Sequence, residues 1–320
     1  MKILGWLFCA LIAFPATAQE AYPSRPVKIL VPYGPGGATD IIARIVAARL
    51  TESLGQSFIV ENRPGANGNL ALEATAKATP DGYTLLVGNV STNAINESIY
   101  AGQLTIRPSR DLVAITKLVE IPHIVVASAN LPAKNIAELV ALAKKDPGKL
   151  NYASVGLGSY PHLDMERFMK ASGTEMTHVP YKGGAGQAIP ALVAGEVQLA
   201  FFNMASLLPH IKSGRLKALA AIPAQRLPEL PDVPTLAEQG YPGIGTNAWQ
   251  GLFAPAATPK PVVDKLYAAV SAVLAREKAG LADKMMAVEV SPSPTEFTAQ
   301  VRRETQSWGD FVRDAKIKVE

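Results

Sequence analysis

The stretch VKILVPYGPGGATD at residues 27–40 decides the fold. Its first part, Val27–Val31, is apolar except for Lys28, which is typical of a strand buried on both faces. A glycine-rich turn follows, and Thr39–Leu54 then carries an apolar residue at every fourth position, which predicts a helix. A buried strand joined to a helix by a short turn is the building unit of α/β proteins.

The same alternation continues along the chain. Further strands are predicted at Phe58–Val60, Thr84–Val87, Ile124–Ala127 and Leu216–Ala221. Further helices are predicted at Asn135–Lys145, Tyr160–Ala171, Gln187–Ala194, Pro261–Arg276 and Pro294–Val312. The pattern therefore indicates an α/β fold with mainly parallel sheets.

The length of 320 residues favours two domains over one. Boundaries are suggested by Ile121-Pro122-His123 and by the turn-rich segment Gly240–Thr246. Two boundaries around a middle segment allow the first and last parts of the chain to share a domain. We therefore expect one lobe from residues 19–123 plus 247–320 and a second from residues 124–246, which we call lobe 1 and lobe 2.

The first 18 residues read as a secretory signal peptide. Lys2 provides a short positive region, Ile3–Phe14 is apolar, and Ala16-Thr17-Ala18 places small residues before a cleavage site. We expect cleavage after Ala18 and export from the cytoplasm. Cys9, the single cysteine, would leave with this segment, which suits an oxidising compartment.

The composition excludes several classes of protein. Apolar residues make up 48% of the chain and charged residues 18%, which is too apolar for a disordered protein. A net charge of +4 over this length does not indicate nucleic-acid binding. One cysteine excludes a disulfide-rich scaffold, and the four histidines form no close ligand pair, so we expect no metal and no cofactor.

Three segments share one plan of strand, glycine-rich turn and helix, namely PYGPGGATD at 32–40, ASVGLGSYPH at 153–162 and VPYKGGAG at 179–186. Glycine lets the backbone approach a ligand closely, and the helix that follows presents unpaired N–H groups. Each turn is a candidate anion cradle, with hydroxyl donors from Thr39, Ser154 and Ser159. None of the turns completes a dinucleotide or Walker A motif.

Several of these residues have plainer interpretations. A single turn of this kind is more often only a capped turn, and Asp40 suits the positive end of a helix dipole better than acid–base catalysis. Ser159 and His162 invite a hydrolase interpretation, but G-x-S-x-G is absent, and a structural role for His162 is favoured. Lys182 fits either a ligand carboxylate or a solvated loop, and Trp249 either a cleft wall or the core.

The chain resembles a known family over essentially its whole length after the signal segment. The matching stretches are YPSRPVKILVPYGPGGATDIIAR at 22–44, GQSFIVENRPGANGN at 55–69, ATPDGYTLLVGN at 78–89, LNYASVGLGSYPHL at 150–163, HVPYKGGAGQAIPALVAGEVQLAF at 178–201, LPDVPTLAEQGYPG at 230–243 and WQGLFAPAATPKPVVDKL at 249–266. By these motifs the chain is similar to the substrate-binding proteins of tripartite tricarboxylate transporters, the Bug-type periplasmic receptors.

This resemblance implies a type II periplasmic-binding-protein fold, with two α/β lobes joined by two crossing segments around a ligand cleft. It implies a non-enzymatic receptor that captures a di-, tri- or aromatic carboxylic acid by lobe closure and delivers it to transporter membrane subunits. We expect a monomer. The expected ligand-binding residues are Tyr33, Gly36, Gly37, Thr39, Asp40, Asn89, Ser91, Ser154, Gly156, Gly158, Ser159, His162, Tyr181, Lys182, Gly183, Phe202, Asn203 and Trp249.

One departure from the family pattern bears on the ligand. Many relatives carry Asp after the strand VQLAF, whereas this chain has Phe202 before Asn203. If Phe202 lines the cleft, we expect preference to move away from amino acids and toward apolar or aromatic acids. The alternatives to a transport receptor are a binding protein that serves a sensor, which would use the same site, and a secreted Ser/His hydrolase.

Overall fold

The structure is a computed structural model that describes residues 22–181, 183–246, 248–285, 288–289, 292–315 and 317. The strands of this part of the chain are β1 (Val27–Val31), β2 (Phe58–Asn62), β3 (Thr84–Asn89), β4 (Leu112–Ile121), β5 (His123–Ser128), β6 (Asn151–Ser154), β7 (Thr177–Pro180), β8 (Leu199–Asn203), β9 (Leu216–Ala221), β10 (Ala248–Pro255) and β11 (Val288–Glu289). They form a six-stranded sheet in the order β11-β4-β10-β3-β1-β2 and a five-stranded sheet in the order β7-β6-β8-β5-β9.

The helices flank these two sheets. They are α1 (Ala38–Leu54), α2 (Asn69–Ala76), α3 (Asn96–Ile99), α4 (Pro108–Asp111), α5 (Ile136–Lys145), α6 (Tyr160–Ser172), α7 (Ala185–Ala194), α8 (Met204–Lys212), α9 (Lys260–Met285) and α10 (Pro294–Asp314). A 3-10 turn at Ala66–Gly68 and a π-helical turn at Ser91–Ile95 complete the set. Every strand and helix predicted above is confirmed, with most ends shifted by a few residues.

The chain passes between the two sheets twice. β4 ends at Ile121 in the first sheet and β5 begins at His123 in the second, with only Pro122 between them. The chain returns after β9, and β10 enters the first sheet at Ala248. These two passages are the first and second crossings.

The expectation of mainly parallel sheets is wrong. β1 runs parallel to β2 and β3, and β6 runs parallel to β7 and β8, but β10 is antiparallel to β3 and β4. β5 is likewise antiparallel to β8 and β9. The crossings explain the difference, because β4 carries the chain out of the first sheet and β10 brings it back beside β4 in the opposite direction.

Apolar side chains cover both faces of each sheet. On β1, Ile29 belongs to the cluster on one face and Leu30 to the cluster on the other, and both are fully or almost fully buried. This agrees with the apolar residues of VKILV, since a strand covered on both faces needs no polar alternation, and only Lys28 of this strand is exposed. Helices therefore lie on both sides of the sheets, and their N-terminal ends are brought to the strand ends.

No helix of the described part of the chain is long and apolar enough to cross a membrane. The predicted signal segment 1–18 and its cleavage after Ala18 lie outside the described residues.

Candidate functional site

A small cavity of about 40 Å³ lies between the two sheets. Its lining from the first sheet's side consists of Tyr33, Gly34, Gly37, Ala38, Thr39, Asn89 and Gln250. Its lining from the second sheet's side consists of Val155, Tyr160, Ala185 and Asn203. Because segments that follow strands of both sheets contribute, the cavity is the cleft between the lobes, as expected of open α/β sheets.

Two helix N-termini from opposite sides meet at this cavity. α1 begins at Ala38, and Ala38 and Thr39 line the cavity. α7 begins at Ala185, which lines it from the other lobe. The first N–H groups of a helix have no intrahelical acceptor, and the helix dipole makes this end positive. The two ends together form a site suited to an anion.

Three side-chain amides add donors to the same cavity. The Oδ1 atom of Asn89 accepts from the Thr92 N–H at 3.2 Å, and the Oδ1 atom of Asn203 accepts from the Ser206 N–H at 3.0 Å. The Oε1 atom of Gln250 accepts from the Thr39 hydroxyl at 2.7 Å. Because each amide oxygen already accepts a hydrogen bond, the NH₂ group is the part of each amide that an anion would contact.

No charged side chain belongs to the cavity lining among the residues that the structure describes. Asp40 lies behind the turn, where its carboxylate accepts from the Gly36 N–H, from Arg44 and from Asn62. Burial alone would raise the pKa of Asp40, but these hydrogen bonds lower it, so the carboxylate is ionised and already satisfied. Asp40 therefore shapes the turn around Gly36 and Gly37 and does not line the cavity.

The two lobes are closed on one another around the cavity. The Tyr160 N–H donates to the Ser91 hydroxyl at 3.0 Å, and the Tyr100 hydroxyl donates to the Leu157 carbonyl at 2.7 Å. A Cβ atom at Gly158 would lie 2.7 Å from the Ile99 side chain across the cleft. Gly158 also has a φ of +77°. Both its backbone conformation and the lack of space beside Ile99 therefore require glycine at this position.

The structure brings five of the sequence-predicted residues to the cavity and leaves others in its supporting loops. Tyr33, Gly37, Thr39, Asn89 and Asn203 line it. Burial raises the pKa of Tyr33, whose hydroxyl donates to Asn89 at 3.3 Å.

The loop that precedes α6 is held by its own hydrogen bonds. The Ser154 and Ser159 hydroxyls both donate to the Gly156 carbonyl, and the Gly158 N–H donates to Nδ1 of His162 at 3.1 Å. Two of the three hydroxyls predicted as anion donors, those of Ser154 and Ser159, are thus used to fold the loop. The structural role favoured for His162 is the one observed.

The geometry does not support Ser159 and His162 as a nucleophile and base. Each is bonded to the loop rather than to the other. A different Ser–His contact is present, with the Ser154 hydroxyl 2.6 Å from Nε2 of His178, but Ser154 is fully buried and neither residue lines the cavity. Burial lowers the pKa of His162 to about 4, and burial with the neighbouring His162 lowers that of His178 to about 3.

Tyr181 and Gly183 belong to the turn that precedes α7 and lie beside the cavity. The Tyr181 N–H donates to the Ser154 carbonyl at 3.0 Å, and the Gly183 N–H donates to Gln187 at 2.9 Å. Lys182, between them, lies outside the described residues.

Phe202 and Trp249 are core residues rather than cleft walls. Phe202 is 1% exposed and packs within the apolar cluster of lobe 2, because β8 directs it to a covered face of the sheet. Trp249 is equally buried, and its indole N–H donates to Glu304 at 2.7 Å. The expected effect of Phe202 on ligand choice therefore has no contact through which to act.

Tyr160 and Gln250 line the cavity but are not among the residues predicted from the sequence. Tyr160 directly follows the loop of the second cradle, and Gln250 is the one polar side chain in the apolar strand β10. A polar residue in a strand buried on both faces was the available signal for Gln250. No sequence signal distinguished Tyr160 from a core tyrosine.

Fold and site together define a two-lobed solute-binding protein. The family described as "Tripartite tricarboxylate transporter family receptor" matches residues 42–313. The chain belongs to this family, whose members are solute-binding receptors and not enzymes.

Three solved structures are similar to this chain over nearly its full length. The periplasmic binding protein BugD is 33% identical, with a TM-score of 0.87 over 93% of this chain and 100% of that one. Rpa4515 of R. palustris with adipate is 34% identical, with a TM-score of 0.88 over 93% and 99%. MatC of Rhodopseudomonas palustris with bound malate is 34% identical, with a TM-score of 0.84 over 91% and 100%.

Proposed function

We propose that this protein is a periplasmic receptor for a small carboxylate, which it captures by lobe closure and delivers to the membrane subunits of a tripartite tricarboxylate-type transporter. The proposal includes cleavage of the signal peptide after Ala18, a monomeric receptor, and lobes made of residues 19–123 plus 247–320 and of residues 124–246. The bound ligands of the similar proteins Rpa4515 and MatC, adipate and malate, support the carboxylate class.

The observation that carries the proposal is the convergence of donors. The N-terminal ends of α1 and α7 reach one cavity from opposite lobes, and three amide NH₂ groups join them. Hydrogen bonds from such donors to an ionised carboxylate are stronger than those to a neutral group. Because donors lie on both lobes, the anion is fully bound only in the closed form, and its binding favours closure.

The same lining opposes a ligand ammonium group. No carboxylate lines the cavity among the described residues, so an amino acid would bury a positive charge without a partner. An unpaired buried charge costs several kcal/mol. A preference against amino acids is therefore proposed on the basis of the neutral amides of Asn89, Asn203 and Gln250. These residues, rather than Phe202, line the cavity.

Succinate, malate and aspartate make a matched test, because they share a four-carbon dicarboxylate skeleton and only aspartate carries an ammonium. We expect succinate or malate to raise the unfolding temperature, since a ligand at 100 times its Kd stabilises a protein by about 2.7 kcal/mol. We expect aspartate to bind at least about tenfold more weakly. Adipate, citrate and benzoate extend the series in length, charge and aromatic character.

A protein that no carboxylate stabilises would overturn the receptor proposal, and tighter binding of aspartate than of succinate would overturn the argument from the lining. Delivery is tested separately by uptake of the bound acid in cells that lack this protein and are then supplied with it. Unchanged uptake would favour the sensor alternative.

A further inference from the structure

One face of α6 lies against lobe 1, although α6 follows β6 of the second sheet. Tyr160, Leu163, Asp164 and Arg167 follow one another at helical spacing on this face. Tyr160 and Leu163 belong to the apolar cluster of lobe 1, together with Trp308 of α10. We call these four residues the α6 stripe.

The N-terminal end of the α6 stripe joins the cavity to the first crossing. Tyr160 lines the cavity, and its hydroxyl lies 2.6 Å from Nε2 of His123, the first residue of β5. His123 is neutral, because burial lowers its pKa to about 3.

The middle of the stripe contacts the second crossing. The Thr246 N–H and hydroxyl donate to the two carboxylate oxygens of Asp164 at 2.9 and 3.0 Å. Thr246 lies two residues before β10, and Asp164 is 1% exposed. The stripe therefore touches both segments about which the lobes must turn.

The far end of the stripe holds α10 of lobe 1. The guanidinium carbon of Arg167 lies 4.1 Å from the ring centroid of Trp308 and 4.1 Å from that of Phe311. The two rings are edge to face with centroids 6.0 Å apart, so the cation fits the angle between them. Arg167 is half-buried, and this burial lowers the pKa of its guanidinium group, so the aromatic rings face a partly desolvated cation.

We propose that Arg167 is a positioning residue for ligand capture: its contact with Trp308 and Phe311 stabilises the closed arrangement of the lobes. This inference rests on the proposed function, capture by closure. Arg167 lies two helical turns from Tyr160 and does not line the cavity. A contact made only in the closed form raises the closing equilibrium constant, and with it the apparent affinity for any solute that closure traps.

The effect is expected in closure and in dissociation. A cation over aromatic rings contributes enough to change an equilibrium about 3- to 30-fold. Arg167→Ala should lower the equilibrium constant for closing by this factor and raise the dissociation rate of the solute equally, with an unchanged association rate. Arg167→Lys keeps a cation without the planar group and should fall between. Lys170→Ala, at an exposed position of the same helix, is the matched control.

Spin labels are attached to cysteines introduced by Ser53→Cys in α1 and Lys144→Cys in α5. Both positions are exposed, and the distance between the labels measures the separation of the lobes. Cys9 is replaced by Ser in every variant, which leaves the labels unique. Distances are recorded without solute and with malate or adipate, and stopped-flow fluorescence gives the rates. We expect Arg167→Ala to shift distances toward the open form while Lys170→Ala matches the wild type.

Wild-type distances and dissociation rates in Arg167→Ala would overturn the proposal, even if the variant unfolds at a lower temperature. A wild-type protein that never reaches the closed separation, with or without either acid, would also overturn it. If neither acid binds but the lobes still close, the choice of these acids fails, and the distances without solute still decide the role of Arg167.

Discussion

A single methyl group added at Gly186 should weaken closure of the lobes without weakening the folding of the protein. Gly186 is the second residue of α7, has no unusual backbone angle, and faces the Pro35 carbonyl of the opposite lobe. A Cβ atom at this position would lie 3.0 Å from that oxygen, where ordinary contact begins at 3.4 Å. In Gly186→Ala the lobes must therefore stay about 0.4 Å further apart, the difference between these two distances.

The substitution should lower the affinity for the bound acid but raise the stability of the ligand-free protein. Overpacking a close contact costs about 1–3 kcal/mol. Because the lobes can separate slightly at the hinge, we expect the free-energy cost of closing to be about 1–2 kcal/mol. The apparent affinity for the bound acid should then fall about 5- to 30-fold. The ligand-free protein has no such clash when open and gains up to about 1 kcal/mol, because alanine is a better helix former than glycine.

Calorimetric titration and thermal unfolding measure the two effects on the same protein. Gly280→Ala is the matched control, since Gly280 lies within α9 and, among the described residues, its added methyl group would have only the Glu277 side chain nearby, at 3.7 Å. We expect the control to be more stable with an unchanged Kd. An unchanged Kd in Gly186→Ala would refute the reasoning, because the bound form would then not require this close approach.

Three further predictions concern the core and the second crossing. Phe202→Leu should cost about 1–2 kcal/mol of unfolding free energy and leave the order of ligand affinities unchanged, as measured by urea unfolding and titration, and a changed order would return Phe202 to the cleft. Trp249→Phe should cost about 1–2 kcal/mol through the lost hydrogen bond to Glu304 while leaving Kd within twofold, and a large loss of affinity would contradict its core position. Burial raises the pKa of Asp164 to about 7, above its ordinary value of 3.8, so the folded protein retains a proton that the unfolded chain releases. Stability from this group is complete below about pH 4 and is lost as pH rises through 7, so Asp164→Asn should flatten that part of the pH profile in urea unfolding, and an identical profile would argue against a raised pKa.

Local sequence patterns predicted most of the secondary structure correctly. The apolar run of β1, the glycine turn and the stripe of α1 specify a strand, a turn and a helix through contacts between near neighbours in the chain. The sense of the sheets was not predictable in this way. Whether β10 runs parallel or antiparallel to β4 depends on where the chain returns after some 120 residues in the other sheet.

The candidate site likewise contains residues whose position was predictable from the sequence and residues whose position was not. Gly37, Thr39 and Asn89 follow strands of one sheet, so their place at a strand end was evident from the sequence. Phe202 and Asn203 are neighbours in β8, yet one packs in the core and the other lines the cavity. Strand alternation predicts that they differ, but the packing of helices on the sheet decides which of them meets the cleft.

Local periodicity and backbone geometry established the α/β fold and the glycine turns at helix N-termini from the sequence alone, and the family motifs indicated a solute receptor. Only the tertiary structure decided that α1 and α7 point at one cavity, that Gln250 and Tyr160 join them, and that Arg167 contacts α10. Each of these facts depends on the two lobes meeting face to face. Residues far apart in the sequence then come within hydrogen-bonding distance, as Ser91 and Tyr160 do across the cleft.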